Sequence, residues 1–265
     1  MNIAVFDLET NGMAGTSVVS ASSIIFNAEG AILDVFNRFY LPVEQLNPYA
    51  TRIHGLTIDR LVTLRKHIQS TPYFAEDWPD LLDFWESRNV AGVVVHNLSF
   101  DAAFLPEIAQ GAVRWWCSMK GLTSWCAIPK RGIRAGRQFK WPKLGEAADI
   151  VCNGPEALTP PNATTLVENA IRESMSHFSH VSLFDCFELY RIVSRIRLHR
   201  RDLIKFEPFV IPFYPPTARF NTVSKTIFTV DSGANESGRA NKANRDLFIS
   251  DVLACDRKIR AMANA

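Results

Sequence analysis

The sequence predicts an α/β fold built around one mixed sheet, and three observations carry the prediction. Residues 2–41 hold three strand-like runs joined by short turns, the third alternating apolar and polar side chains, the pattern of an antiparallel meander. Gly92 to His96 is a short apolar run of the kind buried in a parallel sheet, and it leads straight into helical sequence. Two stretches, around 78–88 and 183–193, carry apolar residues at helical spacing.

The elements follow in order. Asn2 to Val5 reads as a short buried strand, with Ile3 and Val5 alternating with small residues. Val18 to Phe26 is the second strand, Asn27 to Gly30 a turn, and Ile32 to Leu41 the third strand, which together make a meander. Pro42 and Pro48 bracket a loop, and His54 follows in the stretch from Ala50 to Thr57, where a lone His is ordinarily a satisfied surface or core residue. A helix is expected from Pro79 to Arg88, with Trp78, Leu81, Leu82 and Trp85 on one face and Pro79 in its first turn. After the strand at Gly92–His96, a helix begins at about Asp101. Val113 to Cys117 is a further strand, followed by a helix to about Ala127.

Residues 130–143 differ from what precedes them. They hold Lys130, Arg131, Arg134, Arg137, Lys140 and Lys143, no acidic residue, and two aromatics, Phe139 and Trp141. Gly132, Gly136 and Pro142 make the stretch a loop; basic residues interleaved with aromatics suit a phosphate backbone and stacked bases, and a mobile solvated loop is the alternative. Leu144 to Ile150 is a short helix, and 153–162 a loop with three prolines. Thr165 and Glu168 form a capping box that opens a helix to about Met175. A strong amphipathic helix follows Asp185, with Leu183, Phe187, Tyr190 and Val193 on one face. Phe206 to Pro216 is expected to be extended and packed along a domain, Asp231 to Asn244 flexible, and Asp246 to Ala263 helical. Residues 1–203 therefore read as one domain and 204–265 as a C-terminal extension.

With 265 residues, 47% of them hydrophobic, the chain is long enough for a sizeable core, and a net charge of +2 points to no class of partner. No apolar run is long enough to span a membrane, and no signal peptide precedes the first strand. The five cysteines are odd in number and widely spaced, with no C-x-x-C; free thiols in a reducing cytosol are expected, and a cytoplasmic location with them.

The residues that carry chemistry are acidic. Side chains two apart on a strand point the same way, so Asp7 and Glu9 project together from the carboxyl end of the first strand. Adjacent carboxylates repel, and a hard divalent cation, Mg²⁺ or Mn²⁺, is the usual resident between them. Asp101 follows a parallel strand and so sits at the sheet edge where ligands of α/β proteins collect, although by itself it also reads as an acidic residue favoured by the dipole at a helix amino terminus. His180 and Asp185 open the late helix, the first in the loop and the second in the first turns. Four carboxylates suit two divalent ions for phosphoryl displacement, and a neutral imidazole suits a general base.

Four segments resemble the successive motifs of the DEDDh 3′→5′ exonucleases, the DnaQ-like enzymes of the ribonuclease H-like fold. They are Phe6-Asp7-Leu8-Glu9-Thr10-Asn11-Gly12, Ile53-His54-Gly55-Leu56-Thr57, His96-Asn97-Leu98-Ser99-Phe100-Asp101 and His180-x4-Asp185, in that order. The resemblance covers residues 1 to about 200. It implies a mixed five-stranded sheet with helices on both faces. It also implies Asp7, Glu9, Asp101 and Asp185 as ligands of two Mg²⁺ or Mn²⁺, and His180 as the general base. Thr10, His54 and Phe100 would lie near the terminal nucleotide, with Leu8 and Phe100 against its base. Arg134, Arg137 and Lys140 of the basic loop would contact the substrate backbone. His180 stands where another branch of the family has tyrosine, and the stretch between Leu144 and His180 is longer than usual. The expected activity is release of nucleoside 5′-monophosphates from 3′ ends of single-stranded DNA, in proofreading or repair, with RNA trimming as the alternative. A catalytically silent fold that binds nucleic acid or a polymerase is the alternative from a different class. Residues 204–265 are available to dock a polymerase or another protein.

Overall fold

The computed structural model describes residues 1–130, 139–171, 181–217 and 236–264. Five strands form one sheet in the order β3-β2-β1-β4-β5: β1 (Asn2–Thr10), β2 (Val18–Phe26), β3 (Ile32–Phe39), β4 (Val90–Val95) and β5 (Trp115–Cys117). β1 pairs antiparallel with β2 and β2 with β3, while β1–β4 and β4–β5 are parallel. The meander and the buried parallel strand are thus where the sequence runs placed them. β1 is central and buried on both sides, so its odd and even residues enter different cores. Ile3 and Val5 join Ile24, Phe26, Val35, Val94 and Trp116 in one; Ala4, Phe6 and Leu8 join Phe36, Val93, Val95 and Trp115 in the other.

Helices cover both faces. Between β3 and β4 lie α1 (Pro48–His54), α2 (Ile58–His67) and α3 (Phe74–Ser87). α1 begins at the proline that closes the expected loop, and α2 fills a stretch to which the sequence assigned no element. Asn47 caps α1 by accepting from the Tyr49 amide, Pro48 takes the first turn, and Gly55 ends the helix at φ 70°. α3 starts well before Pro79, which lies inside it instead of in its first turn. Phe74, packed edge-on against Tyr40 at 5.3 Å, anchors the earlier start, and Pro79 forgoes one backbone hydrogen bond. α4 (Leu98–Asp101) follows β4 and ends at Asp101, where the sequence had suggested a helix would begin; α5 (Glu107–Ala112), α6 (Ser118–Gly121), α7 (Thr123–Cys126) and α8 (Leu144–Ala148) flank β5.

α9 (Asn162–Ile171) starts before Thr165, so that residue is inside the helix and no capping box forms there. Glu168 instead meets Arg195 with both oxygens, Oε2 at 2.9 Å from Nη2, and Arg191 at 3.1 Å. A bidentate guanidinium outcompetes a backbone amide for a carboxylate. α10 (Ser182–His199) lies against β1 and β2, with Leu183, Phe187, Tyr190 and Val193 all buried. Residues 204–216 are extended. Glu207 exchanges backbone bonds with Trp115 at 2.8 and 2.9 Å, and Gln110 brackets Ile211 through both its amide atoms. Phe206 fills the space at Gly92, where a Cβ would lie 2.2 Å from its ring. α11 (Glu236–Ala263) packs on β3, α2 and α9, burying Phe248, Ile249, Val252, Cys255 and Ile259. Residues 236–244, expected to be flexible, are helical. All five cysteines are free thiols. Among the described residues no helix is long and apolar enough to cross a membrane.

Candidate active site

Three of the acidic residues converge. Ligand oxygens of Asp7, Glu9 and Asp185 all lie within 4.8 Å of one another. β1 supplies the first two from its carboxyl end, and the first turn of α10 supplies the third. The parity of β1 explains the first pair, since Asp7 and Glu9 continue the face of Ile3 and Val5 on which α10 lies. Asp101, buried at the end of α4, stands beside the trio closely enough that its charge acts on Asp7 and Glu9.

The electrostatics are those of an anionic cluster short of positive charge. Burial pushes the Asp7 carboxyl well above the usual carboxylate range, and Asp185, Asp101 and Glu9 push it further. Glu9 is raised well above its usual value by burial, then by Asp185 and Asp101. Burial lifts Asp101 to about 7; the backbone of Leu8 and Asn97 pulls it down, and Asp185 pulls it up. The thiol of Cys186, next to Asp185, is driven up by burial and by the same carboxylates, and it donates to the Ser22 carbonyl at 3.0 Å. The charges acting most strongly on Asp7 and Glu9 are all negative. An oxygen-only, anionic donor set of this kind fits a hard divalent cation, Mg²⁺ or Mn²⁺, better than a soft one.

The other expected site residues are placed unequally. His180, Arg134 and Arg137 lie outside the described residues. Leu8 is buried on the opposite face from Asp7 and Glu9, in the core with Phe6 and Trp115. Thr10 is buried, its hydroxyl donating to the Gly12 carbonyl at 2.7 Å. His54 is buried too, and its Nδ1 accepts from the Leu56 amide at 3.0 Å. Phe100 is half-buried, its ring 5.2 Å from that of Phe104 and packed against the apolar core that holds Leu8. Lys140 is held by Glu146, Nζ to Oε1 at 2.5 Å and to Oε2 at 2.6 Å, so its charge is already matched. Phe139 and Trp141 beside it are exposed.

Two residues of the sequence motifs, given no role there, act as anchors. His96, the last residue before the Asn97–Asp101 turn, bonds the Pro142 carbonyl through Nε2 at 3.0 Å and Ser118 through Nδ1 at 3.0 Å. Only a protonated Nε2 can donate to a carbonyl, so Nδ1 is the acceptor, and burial lowers the pKa of this neutral ring. The foot of the basic loop is thereby fixed to the carboxyl end of β4. Asn11, just past Glu9, donates to Glu44 at 2.8 Å and to the Gln45 carbonyl at 3.0 Å, and accepts from the Asn47 amide at 2.6 Å. It ties the end of β1 to the cap of α1. A His directly after an apolar strand and an Asn directly before a Gly were the available signals.

No family model matches the sequence, and no curated protein does. Solved structures are similar to it. Exonuclease X in complex with 5′-overhanging duplex DNA is 19% identical over 75% of this chain and 93% of its own, with a TM-score of 0.46. Exonuclease I from Methylocaldum szegediense is 15% identical over 76% of this chain and 41% of its own, with a TM-score of 0.49. An exonuclease I structure that addresses processivity reaches a TM-score of 0.50 at 12% identity, over 76% of this chain and 42% of its own. The chain has the mixed five-stranded, ribonuclease H-like fold. At these identities the likeness is one of fold, and the chain spans less than half the length of the exonuclease I structures.

Proposed function

We propose that the chain is a metal-dependent 3′→5′ exonuclease of the DEDDh kind, acting on single-stranded DNA ends and releasing nucleoside 5′-monophosphates. The observation that carries the reading is the convergence of Asp7, Glu9 and Asp185, with Asp101 beside them, at one end of a fold shared with an exonuclease. Such a cluster is costly to the fold unless a cation is its purpose. The order of the four sequence motifs supports the same reading.

Asp7, Glu9, Asp101 and Asp185 would hold two Mg²⁺ or Mn²⁺. When bound, these ions would supply positive charge to the phosphoryl oxygens and to the attacking and departing oxygens. The protein's part is to hold that charge in a fixed place. Asp7 and Glu9 sit on a central strand paired on both sides, and Asp185 on a buried helix. His180 takes the proton of the attacking water, a role for which a pKa near neutrality is suited. Phe139 and Trp141, exposed at the foot of the basic loop, offer faces for bases.

The reading is tested with labelled oligonucleotides, DNA and RNA in parallel, with Mg²⁺ or Mn²⁺ and with EDTA. Single-stranded 3′ ends should be degraded faster than blunt paired ends, because a paired base must first unstack. Mononucleotides released first from the 5′ end, cutting of a circular single strand, or activity in EDTA would each overturn it. RNA degraded faster than DNA would replace the substrate with the alternative. For the base, His180→Ala should lower kcat by ~10²–10⁴-fold and leave Mn²⁺ affinity near wild type. A large loss of that affinity would instead make His180 a ligand.

A further inference from the structure

The sheet face that carries Asp7 and Glu9 is otherwise apolar, yet a line of buried polar side chains crosses it. Ser22 stands opposite Asp7 and Ser20 opposite Glu9 in the β1–β2 ladder, and Asn37 opposite Ser22 in the β2–β3 ladder. Cross-strand partners share a face. Ser182, three residues before Asp185 in α10, meets this line: its Oγ is 2.6 Å from Ser20 Oγ and 2.8 Å from Ser22 Oγ. Ser22 donates to Asn37 Oδ1 at 3.0 Å, and Asn37 Nδ2 donates to Asp256 Oδ1 of α11 at 3.0 Å. Asp256 Oδ2 accepts from Arg260 Nε at 2.9 Å, and Arg260 Nη1 donates to the Val35 carbonyl at 2.8 Å. Ser20, Ser22, Asn37, Ser182 and Asp256 are all buried.

The proton direction along this line follows from its far end. A carboxylate paired with arginine only accepts, so Asn37 must turn its amide nitrogen towards Asp256 and leave its oxygen to Ser22. Ser22 has one hydroxyl proton, and Asn37 takes it. Ser182 must then donate to Ser22, and Ser20 to Ser182. One charge on α11 thus orients three hydroxyls, and Ser182 among them lies in the helix turn that bears Asp185.

We propose that this line is a positioning device: Ser182, held by Ser20 and Ser22 and oriented from Asp256, fixes where Asp185 stands relative to Asp7 and Glu9. It rests on the metal reading above. The three carboxylates repel one another, which drives α10 away from β1. The apolar packing that holds α10 is not directional. Hydrogen bonds from the partners of Asp7 and Glu9 on β2 to the turn before Asp185 are directional, and they tie the helix to the strand pair at the level of the site. α11 is then part of the site's framework, although it contributes no ligand to it.

The test is Mn²⁺ binding followed by electron paramagnetic resonance on the whole chain without substrate, with KM for an oligonucleotide as a second readout. Ser182→Ala and Asp256→Leu should weaken Mn²⁺ about 10-fold, the scale of losing an outer partner of a metal ligand, with KM near wild type. Asp256→Asn keeps an acceptor for Asn37 and should bind as wild type. Tyr190→Phe removes buried bonds to the Gly30 carbonyl and Thr164 farther along the same helix, and should leave Mn²⁺ affinity unchanged. Ser20→Ala, the mildest change, should give a smaller loss in the same direction, and it serves if either larger substitution prevents folding. Wild-type affinity in Ser182→Ala and Ser20→Ala, or an equal loss in Tyr190→Phe, overturns the positioning role alone. A wild-type chain that binds no Mn²⁺ overturns the metal reading, and the positioning role with it.

Discussion

On one side of β1, Phe6 meets Trp85 edge-on at 5.3 Å, and Trp85 meets Trp115 at 5.9 Å. The Trp85 indole donates to Ser23, which donates to the Val5 carbonyl, so even the polar atoms there close on themselves. On the other side, one residue along, Asp7 and Glu9 lie among carboxylates and are pushed towards protonation. The strand is the same and only the parity differs. The first face stabilises the fold along its whole length; the second does so at Ile3 and Val5 and gives some of that back at Asp7 and Glu9.

The sharpest way to break the contrast is to make one substitution on each face. Asp7→Ala should reduce hydrolysis by more than about 100-fold, beyond what losing an outer partner costs, while metal-free protein melts no lower than wild type. Turnover within tenfold of wild type would remove Asp7 from the site. Trp85→Ala should do the reverse: a loss of ~3–5 kcal/mol in denaturant unfolding with an unchanged rate per folded molecule. A large fall in kcat for that variant would mean the two faces are not separable.

The contrast also has a pH dependence. Asp7, Glu9 and Asp101 have folded-state values raised above those of the unfolded chain, Asp101 to about 7. The folded state therefore binds more protons than the unfolded chain between those values. The contribution of Asp101 to stability is fully present below about pH 4 and is lost as pH rises through about 7, with a slope of up to about 1.4 kcal/mol per pH unit, and those of Asp7 and Glu9 are lost in the same direction. Metal-free protein should melt higher at pH 5 than at pH 8, and Mg²⁺ or Mn²⁺ at pH 8 should recover the difference. A melting temperature that rises steadily to pH 8 without metal would contradict the crowding of these carboxylates. The smallest effect concerns the loop. Neutralising Arg134, Arg137 and Lys140 together should raise KM and flatten its salt dependence by up to about 2 in log–log slope, at ~0.7 per phosphate contact on a single strand. The engagement of Lys140 by Glu146 sets the expectation below that ceiling.

The strands were legible as short runs rich in β-branched and apolar residues between turns, and Asp7 and Glu9 because side chains two apart on β1 share a face. The helices after β3 were harder. Asn47, Pro48 and Gly55 are a cap, a first-turn residue and a stop, but the same residues also punctuate loops, and only the packing of Ala50 and His54 decides between them. Thr165 and Glu168 satisfy a capping pattern, yet Arg191 and Arg195, more than twenty residues away in sequence, claim the carboxylate. Ser20, Ser22 and Ser182 carried no local signal at all. Their meaning lies in strand register and in a helix that crosses two strands, which no window of sequence contains.

The extended segment after Leu203 and the final helix have a consequence for association between chains. A strand at the rim of a sheet offers unpaired amides and carbonyls to any strand that arrives. Here the tail of the same polypeptide reaches both rims: Glu207 occupies the backbone of Trp115 on β5, and Arg260 takes the Val35 carbonyl on β3. A chain ending at residue 203 would free the Trp115 backbone and the Val35 carbonyl at once, together with the surface that Phe248, Val252 and Ile259 cover. The described parts of this tail thus occupy backbone positions on both outer strands of the sheet, which is where another chain would otherwise pair.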